Sequence, residues 1–396
     1  MIERALARFT PQGRDIPAAL DWPLVATVGV LLVFGLVMVA SASMAVAERE
    51  TGAALSLFYR QGFFTVMGVI VVTLGLMLVR TTDLEAAGPG LLGVSLLLLV
   101  VVLLPGVGRE VNGAVRWLPL GVVNLQVSEV AKLGVLIYLA GYVVRRGEAL
   151  RTRFSGFLVP VAILALVAGL LLMEPDFGGA AVILATGAVV LFLGGAPLSR
   201  MLLLAALGVI AAAGLIVSSP YRWERLTGFL NPWADPFDSG FQLTQALIAV
   251  GRGGWFGVGL GNSVQKLFYL PEAHTDFLFS VLAEELGVLG VTAVVALFTF
   301  MVWRILRIGV AAFNEGRPFG AYVCWGVGFW LGAQAFINMG VNLGLLPTKG
   351  LTLPLMSYGG SSLVVTLAAV GLVLRVDWER RAAAAAATDE PGRVAA

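Results

Sequence analysis

Long apolar stretches, separated by short polar connections, make up most of this chain. Six stretches of helix-spanning length carry no charged residue, namely 23–47, 61–79, 89–104, 157–173, 177–193 and 201–217. Four further apolar stretches interrupted by polar residues lie at 126–144, 277–303, 319–343 and 358–374. About 20 apolar residues form a helix that crosses a bilayer, and backbone groups in lipid must be paired within their own segment. The pattern therefore predicts about ten transmembrane helices.

Composition agrees with this pattern. Hydrophobic residues make up 59% of the chain, charged residues only 13%, and the mean hydropathy is +0.92. Such a chain has too few polar residues to cover a soluble globule, so we expect an all-α integral membrane protein. The single cysteine, Cys324, lies in an apolar stretch and excludes an intrachain disulfide, and the single histidine excludes a histidine-rich metal site. No metal site is predicted from these residues.

The distribution of lysine and arginine predicts the orientation. Of the 26 basic residues, 16 lie in the connections on the same side as the N-terminus and 9 lie on the opposite side. Positive charge favours the cytoplasmic side, so both termini are predicted to be cytoplasmic. The predicted organisation is a cytoplasmic segment at 1–22, a membrane domain at 23–376 and a disordered cytoplasmic tail at 377–396.

The longest connection, 218–276, is expected to be the one large extracytoplasmic loop, placed before helix 8. Long loops that keep aromatic and apolar residues are usually functional. The spacing of apolar residues at 241–250 predicts a short helix on or in the membrane, and six glycines at 251–261 predict a close-packed turn region. His274 and Asp276 end the loop at the border of the next apolar stretch.

Several polar residues allow two interpretations. Asp276 precedes an apolar run, which is typical of a helix N-cap, but an acid at the membrane surface can also act on a lipid-borne substrate. Glu129 and Lys132 are three apart on one helical face, so they either neutralise each other or support a site. Trp117 is either an interfacial anchor or part of a site. Ser361 lies where the tenth helix is expected to begin, and a helix N-terminus suits a phosphate group.

Four motifs resemble one known family. They are NGAVRWLPLG at 112–121, the stretch from NPWADPF to PEAHTDF at 231–277, AEELG at 283–287 and LPTKGLTLPLMSYGGSSL at 346–363. Together they resemble the SEDS family of shape, elongation, division and sporulation proteins, and its cell-division members in particular. The resemblance covers residues from about 20 to 377, and the later motifs are the most specific.

This resemblance implies a peptidoglycan glycosyltransferase that polymerises lipid II at the outer face of the cytoplasmic membrane, at the division septum. It implies Asp276 as the catalytic base and a class B penicillin-binding protein as partner. Arg116, Lys349 or a bound divalent cation would stabilise the leaving pyrophosphate. The other classes of function left open are a lipid II flippase and a non-catalytic division scaffold. The expected substrate-binding residues are Arg116, Trp117, Glu129, Lys132, His274, Lys349 and Ser361.

Overall fold

The computed structural model describes residues 20–111, 113–121, 123–218, 220–238, 240–348 and 350–389. Within these residues, eight helices are long and apolar enough to cross a membrane. They are α1 (Trp22–Thr51), α2 (Ser56–Leu78), α3 (Thr81–Val102), α4 (Val127–Thr152), α5 (Phe154–Met173), α10 (Leu278–Asn314), α11 (Pro318–Asn342) and α12 (Gly360–Asp389).

The remaining predicted spans are also helical. Two shorter apolar helices are α6 (Phe177–Leu193) and α7 (Leu198–Val217), and the long loop holds α8 (Pro220–Leu230) and α9 (Phe241–Gly253). The ten predicted spans therefore all correspond to helices, and the predicted fold class is confirmed. Helix α9 likewise confirms the short helix predicted at 241–250.

Local signals explain where several helices begin and end. Asp21 caps α1 by accepting a hydrogen bond from the Leu24 amide at 3.0 Å, and Pro23 follows in the first turn. Gly52 ends α1 in the left-handed conformation, with φ of 70°, and its amide donates to the Glu48 carbonyl. These caps pair backbone groups that would otherwise be left without partners at the helix ends.

A small antiparallel sheet precedes α4. Its strands are β1 (Arg109–Val111), β2 (Ala114–Leu120) and β3 (Val123–Gln126), in the order β1-β2-β3. On β2, Trp117 lies opposite Gln126. The hydropathy pattern of the spans contains no signal for this sheet, because the strands are short and lie in a polar connection. The sheet brings Arg116 and Trp117 onto a paired strand rather than a free loop.

Helix α10 is broken at Gly287, where φ is 65° and ψ is −162°. The glycine-rich segment after α9 packs against this break, and the Val258 and Gly259 amides donate to the carbonyls of Glu284 and Glu285, each at 3.0 Å. A Cβ on Gly257 would lie 2.1 Å from the Glu285 carbonyl oxygen, so the close approach requires glycine. The predicted close-packed turn region is thus confirmed, and it pairs the carbonyls that the break leaves open.

The C-terminal segment differs from the predicted disordered tail. Helix α12 continues through Asp389, and residues 390–396 lie outside the described residues. Asp377 is buried and is paired with Arg380 at 2.9 Å and with Arg381 at 2.7 Å, whereas Arg381 also reaches Asp21 at 2.9 Å. Because the helix carries these charges to the start of α1, residues 377–381 of the predicted tail are held by ion pairs.

Candidate functional site

Asp276 lies at the start of α10 and is half-buried. The N-cap residue of α10 is Phe277, so the carboxylate of Asp276 does not occupy the capping position. Two side chains of α11 hold its main chain instead, because Asn338 Nδ2 and Asn342 Nδ2 each donate to the Asp276 carbonyl at 2.9 Å. The backbone around Asp276 is therefore fixed from a neighbouring helix.

The same two asparagines extend this clamp to other elements. Asn342 Oδ1 accepts hydrogen bonds from Ser280 N at 2.9 Å and from Ser280 Oγ at 2.7 Å. Asn338 Nδ2 also donates to the Leu351 carbonyl at 2.6 Å, and a Cβ on Gly350 would lie 3.3 Å from Asp276 Oδ2. The segment beginning at Gly350 thus runs directly beside the Asp276 carboxylate.

His274 is held by the same segment further along the chain. Its carbonyl accepts a hydrogen bond from the Tyr358 amide at 2.9 Å, and the two rings lie 5.6 Å apart between centroids. The Nδ1 atom is buried with no hydrogen-bond partner in the described residues. Burial lowers the pKa of His274, although Glu272 and Glu50 oppose the shift. Burial therefore favours the neutral imidazole near pH 7, because the ordinary pKa of histidine is already close to 6.5.

Glu129 and Lys132 form a buried ion pair in the first turns of α4. Glu129 Oε1 and Lys132 Nζ are 2.7 Å apart. Lys132 Nζ also donates to Gln334 Oε1 at 3.1 Å and lies 4.8 Å from the ring centroid of Trp330. Of the two interpretations left open by the sequence, the structure shows the mutual ion pair and ties it to α11, whereas a role in substrate binding stays a prediction. Glu129 Oε2 remains buried without a hydrogen-bond partner in the part of the chain that is described.

Arg116 and Ser361 connect the sheet to two helix starts. Arg116 Nη1 lies 3.8 Å from Asp176 Oδ1, and Asp176 caps α6 by accepting from the Gly179 amide at 2.9 Å. Ser361 Oγ, in the first turn of α12, accepts from the Gln126 amide at 3.1 Å. These contacts join β2 to the start of α6 and the end of β3 to the start of α12, and the hydrogen bond from Tyr358 to His274 adds the segment before α10. We call the starts of α4, α6, α10 and α12 together with β1–β3 the Asp276 end of the bundle. Each helix N-terminus carries a partial positive charge, which favours anionic groups.

A buried charge network fixes the long loop next to Asp276. Lys266 Nζ lies 2.7 Å from Glu285 Oε1, and Ser41 Oγ of α1 donates to the same carboxylate at 2.7 Å. Glu284 accepts from Ser263 Oγ at 2.5 Å and pairs with Arg252 at 3.2 Å. Glu284 and Glu285 therefore hold the loop on α10, which is a structural role.

Comparison with known proteins adds the family. The sequence matches the cell cycle protein family FtsW/RodA/SpoVE over residues 22–382. A relative from Alkalilimnicola ehrlichii is 60% identical over 365 residues, covering 92% of this chain and 91% of the relative. Another from Halorhodospira halophila is 58% identical, with 91% of each chain covered. Both relatives are described as probable peptidoglycan glycosyltransferase FtsW.

Solved structures agree with these relatives. A chain from a peptidoglycan synthase complex, solved to show how polymerization and crosslinking are coordinated, aligns with a TM-score of 0.76 and 36% identity. The alignment covers 91% of this chain and 98% of that chain. The rod shape determining protein RodA of Thermus thermophilus aligns with a TM-score of 0.67 and 34% identity, covering 91% and 97%. The chain belongs to the FtsW/RodA/SpoVE family. The SEDS resemblance is thereby confirmed.

The predicted site residues of this FtsW/RodA/SpoVE protein fall into three groups. His274 and Asp276 lie together beside the segment after Gly350, whereas Lys349 lies outside the described residues. Arg116 and Ser361 line the same end through contacts with Asp176 and Gln126. The remaining predicted residues are Trp117, which pairs within the sheet, and the Glu129–Lys132 pair, which lies deeper in the bundle.

Sequence reasoning missed the α11 side chains that hold predicted site residues in this FtsW/RodA/SpoVE protein. Asn338 and Asn342 hold Asp276, and Gln334 binds Lys132. Gln334, Asn338 and Asn342 are spaced four apart in an apolar stretch, so they share one face of α11. Polar side chains on one face of a membrane helix indicate a partner within the bundle. That signal was available in the sequence, but the partners could only come from the structure.

One prediction concerns this asparagine clamp. Asn342→Leu leaves Ser280 N and the Asp276 carbonyl with one hydrogen bond fewer, and a buried polar group without its partner costs about 1–3 kcal/mol. We expect a lower thermal unfolding midpoint in detergent. Asn314→Leu, at the exposed end of α10, is the matched control and should change the midpoint little. Equal midpoints for the two variants would contradict the clamp.

Proposed function

We propose that this protein is a peptidoglycan glycosyltransferase that polymerises lipid II into β-1,4-linked glycan strands. Its relatives are described as probable peptidoglycan glycosyltransferases, and the alignments cover about nine-tenths of this chain and of each relative. The observation that carries the proposal is the placement of Asp276, because two asparagines hold its main-chain carbonyl and so fix this residue at the end of the bundle where four helices begin. A base and an anion-attracting surface are what this reaction needs.

The proposed reaction is a single displacement with inversion. Asp276 accepts the proton of the 4-hydroxyl group on the acceptor GlcNAc while that oxygen attacks the anomeric carbon of the donor. The bond from this carbon to the pyrophosphate oxygen breaks, and the undecaprenyl pyrophosphate leaves with the bonding electron pair. The α-linked donor thus gives a β-linked product.

Positive charge near the breaking bond supports the departure of the pyrophosphate. Arg116 on β2 and Lys349, which precedes Gly350 in the sequence, are the cationic residues proposed to face it. The N-terminus of α12, with Ser361 in its first turn, adds a positive dipole end. In this proposal, His274 shapes the site as a neutral ring, and the Glu129–Lys132 pair supports its inner wall.

The proposed setting is the cytoplasmic membrane at the division septum. The arginine and lysine distribution supports cytoplasmic termini and an Asp276 end that faces outward. A similar solved chain comes from a complex that couples polymerization with crosslinking, which supports a transpeptidase partner of the class B penicillin-binding type. In this arrangement, the partner crosslinks the strands that this chain makes.

The test is polymerisation of purified lipid II by the purified protein together with its cognate penicillin-binding protein. We expect glycan strands of many disaccharides, and the partner should co-purify from detergent and raise the rate. Lipid II translocation across vesicles, measured in parallel, distinguishes a flippase. Translocation without polymer would overturn the proposal in favour of transport. The absence of both activities would overturn it in favour of a scaffold.

A further inference from the structure

Glu174 is a buried acid two residues before Asp176, which pairs with Arg116. It lies in the connection between α5 and α6 and has no exposed surface. Neither of its carboxylate oxygens has a hydrogen-bond partner in the described residues. Asp176 Oδ2 and Arg116 Nε are buried and unpartnered in the same way. A cluster of this kind needs a proton or a ligand, because an unpaired buried charge is very costly.

The charges around Glu174 favour a proton. Asp176 and Arg116 are the charged groups that act on it, and they already pair with each other at 3.8 Å. Arg116 therefore balances one carboxylate, and nothing in the described residues balances the second. Burial, together with the charge of Asp176, raises the pKa of Glu174 to about 8, and Arg116 only partly opposes this.

This cluster adjoins the segment that runs beside Asp276. A Cβ on Gly178, in the first turn of α6, would lie 2.8 Å from the Leu351 side chain. Gly350, which precedes Leu351 in the chain, faces Asp276 Oδ2. The segment at Gly350 and Leu351 therefore contacts both Asp276 and the first turn of α6, which begins just after Glu174 and Asp176. Arg116, which is proposed to face the pyrophosphate, keeps its side chain 25% exposed.

We infer that Glu174 is a positioning residue that carries a proton during turnover and thereby keeps Arg116 available for the pyrophosphate of the lipid-linked substrate. While Glu174 is neutral, Arg116 faces only Asp176 and the cluster has no net charge. When Glu174 loses its proton, the cluster becomes negative, competes for the guanidinium group of Arg116 and repels the pyrophosphate. This inference rests on the proposed function, since it assigns regulation to the same site.

The first measurement is the KM for lipid II between pH 6.5 and pH 9.5. If only the protein with neutral Glu174 binds substrate, the KM should rise about tenfold at one pH unit above the pKa of Glu174. Glu174→Gln should remove this rise, because an amide cannot ionise. Glu110→Gln, an exposed acid on β1, is the matched control and should keep the wild-type rise. A KM for Glu174→Gln that rises as steeply as in the wild type would overturn the inference.

The second measurement is the thermal midpoint, which needs no catalysis. A carboxyl whose pKa is higher in the folded protein stabilises the fold at low pH, and that stability is lost as pH rises toward about 8. At each pH we compare the midpoint of Glu174→Gln with that of the parent. The difference, variant minus parent, should therefore increase between pH 5 and pH 8 and then level off.

The midpoint measurement can be separated from the proposed base. The midpoint comparison is made in an Asp276→Asn background, where it holds even if the assignment of Asp276 fails. A constant difference from pH 5 to pH 9 would overturn the inference. It would also be overturned if MgCl2 raised the midpoint of the parent but not of Glu174→Gln, because the carboxylates would then hold a cation.

Discussion

Asp276→Asn should abolish glycan polymerisation while leaving the protein folded. The amide keeps the size of the side chain and the main-chain contacts to Asn338 and Asn342, but it cannot accept the proton of the attacking hydroxyl. Loss of a positioned base typically lowers the rate by about 10²–10⁴. The measurement is the rate of lipid II polymerisation by the purified complex at saturating lipid II.

A matched acid in the same loop serves as the control for this variant. Glu272 is exposed, accepts a hydrogen bond from Thr275 Oγ1 at 2.7 Å and belongs to the same turn. Glu272→Gln should polymerise at a rate close to that of the wild type. Thermal midpoints of both variants check that the fold is retained. Near-normal product from Asp276→Asn would remove Asp276 from the reaction, whatever the behaviour of the control.

Lys266→Met should strongly destabilise the fold. The substitution leaves the Glu285 carboxylate, which has no exposed surface, with hydroxyl and amide donors but no positive charge. Removing one partner of a buried ion pair typically costs about 3–5 kcal/mol. Because this pair holds the loop on α10 and α1, polymerisation should fall together with the thermal midpoint. Both are measured on the same purified sample.

A second substitution tests whether the loss comes from the unpaired charge. Glu285→Gln combined with Lys266→Met removes both charges, so the double variant should recover much of the midpoint lost in the single variant. Glu315→Gln breaks an exposed pair with Arg380 and should cost only about 0–1 kcal/mol. If Lys266→Met behaves like Glu315→Gln, the buried network does not hold the loop.

The outcome at Glu284 and Glu285 shows why charges in apolar stretches are hard to interpret from sequence. Their position about two turns after Asp276 is equally compatible with a catalytic and a structural role. The structure surrounds both carboxylates with donors from the loop, including Ser263 Oγ and Lys266 Nζ. Those donors are about 20 residues away in the chain, so no local pattern could identify them.

The Glu129–Lys132 pair represents the opposite case. Its members are one turn apart on the same helix, so the sequence alone predicted that they could meet, and they lie 2.7 Å apart. What the sequence could not supply was Trp330 and Gln334, which come from α11 and complete the surroundings of Lys132. Local spacing determines local contacts, whereas helix packing determines the rest.

The sequence by itself determined the membrane fold, the ten spans, the short helix of the loop and the family motifs. These follow from rules that act along the chain, since a bilayer requires about 20 apolar residues for each helix. Only the tertiary structure decided which side chains surround Asp276. The asparagine clamp and the Glu174 cluster depend on segments that are distant in sequence and adjacent in space. Packing between these segments decides which side chains meet, and no periodic pattern in the sequence reveals it.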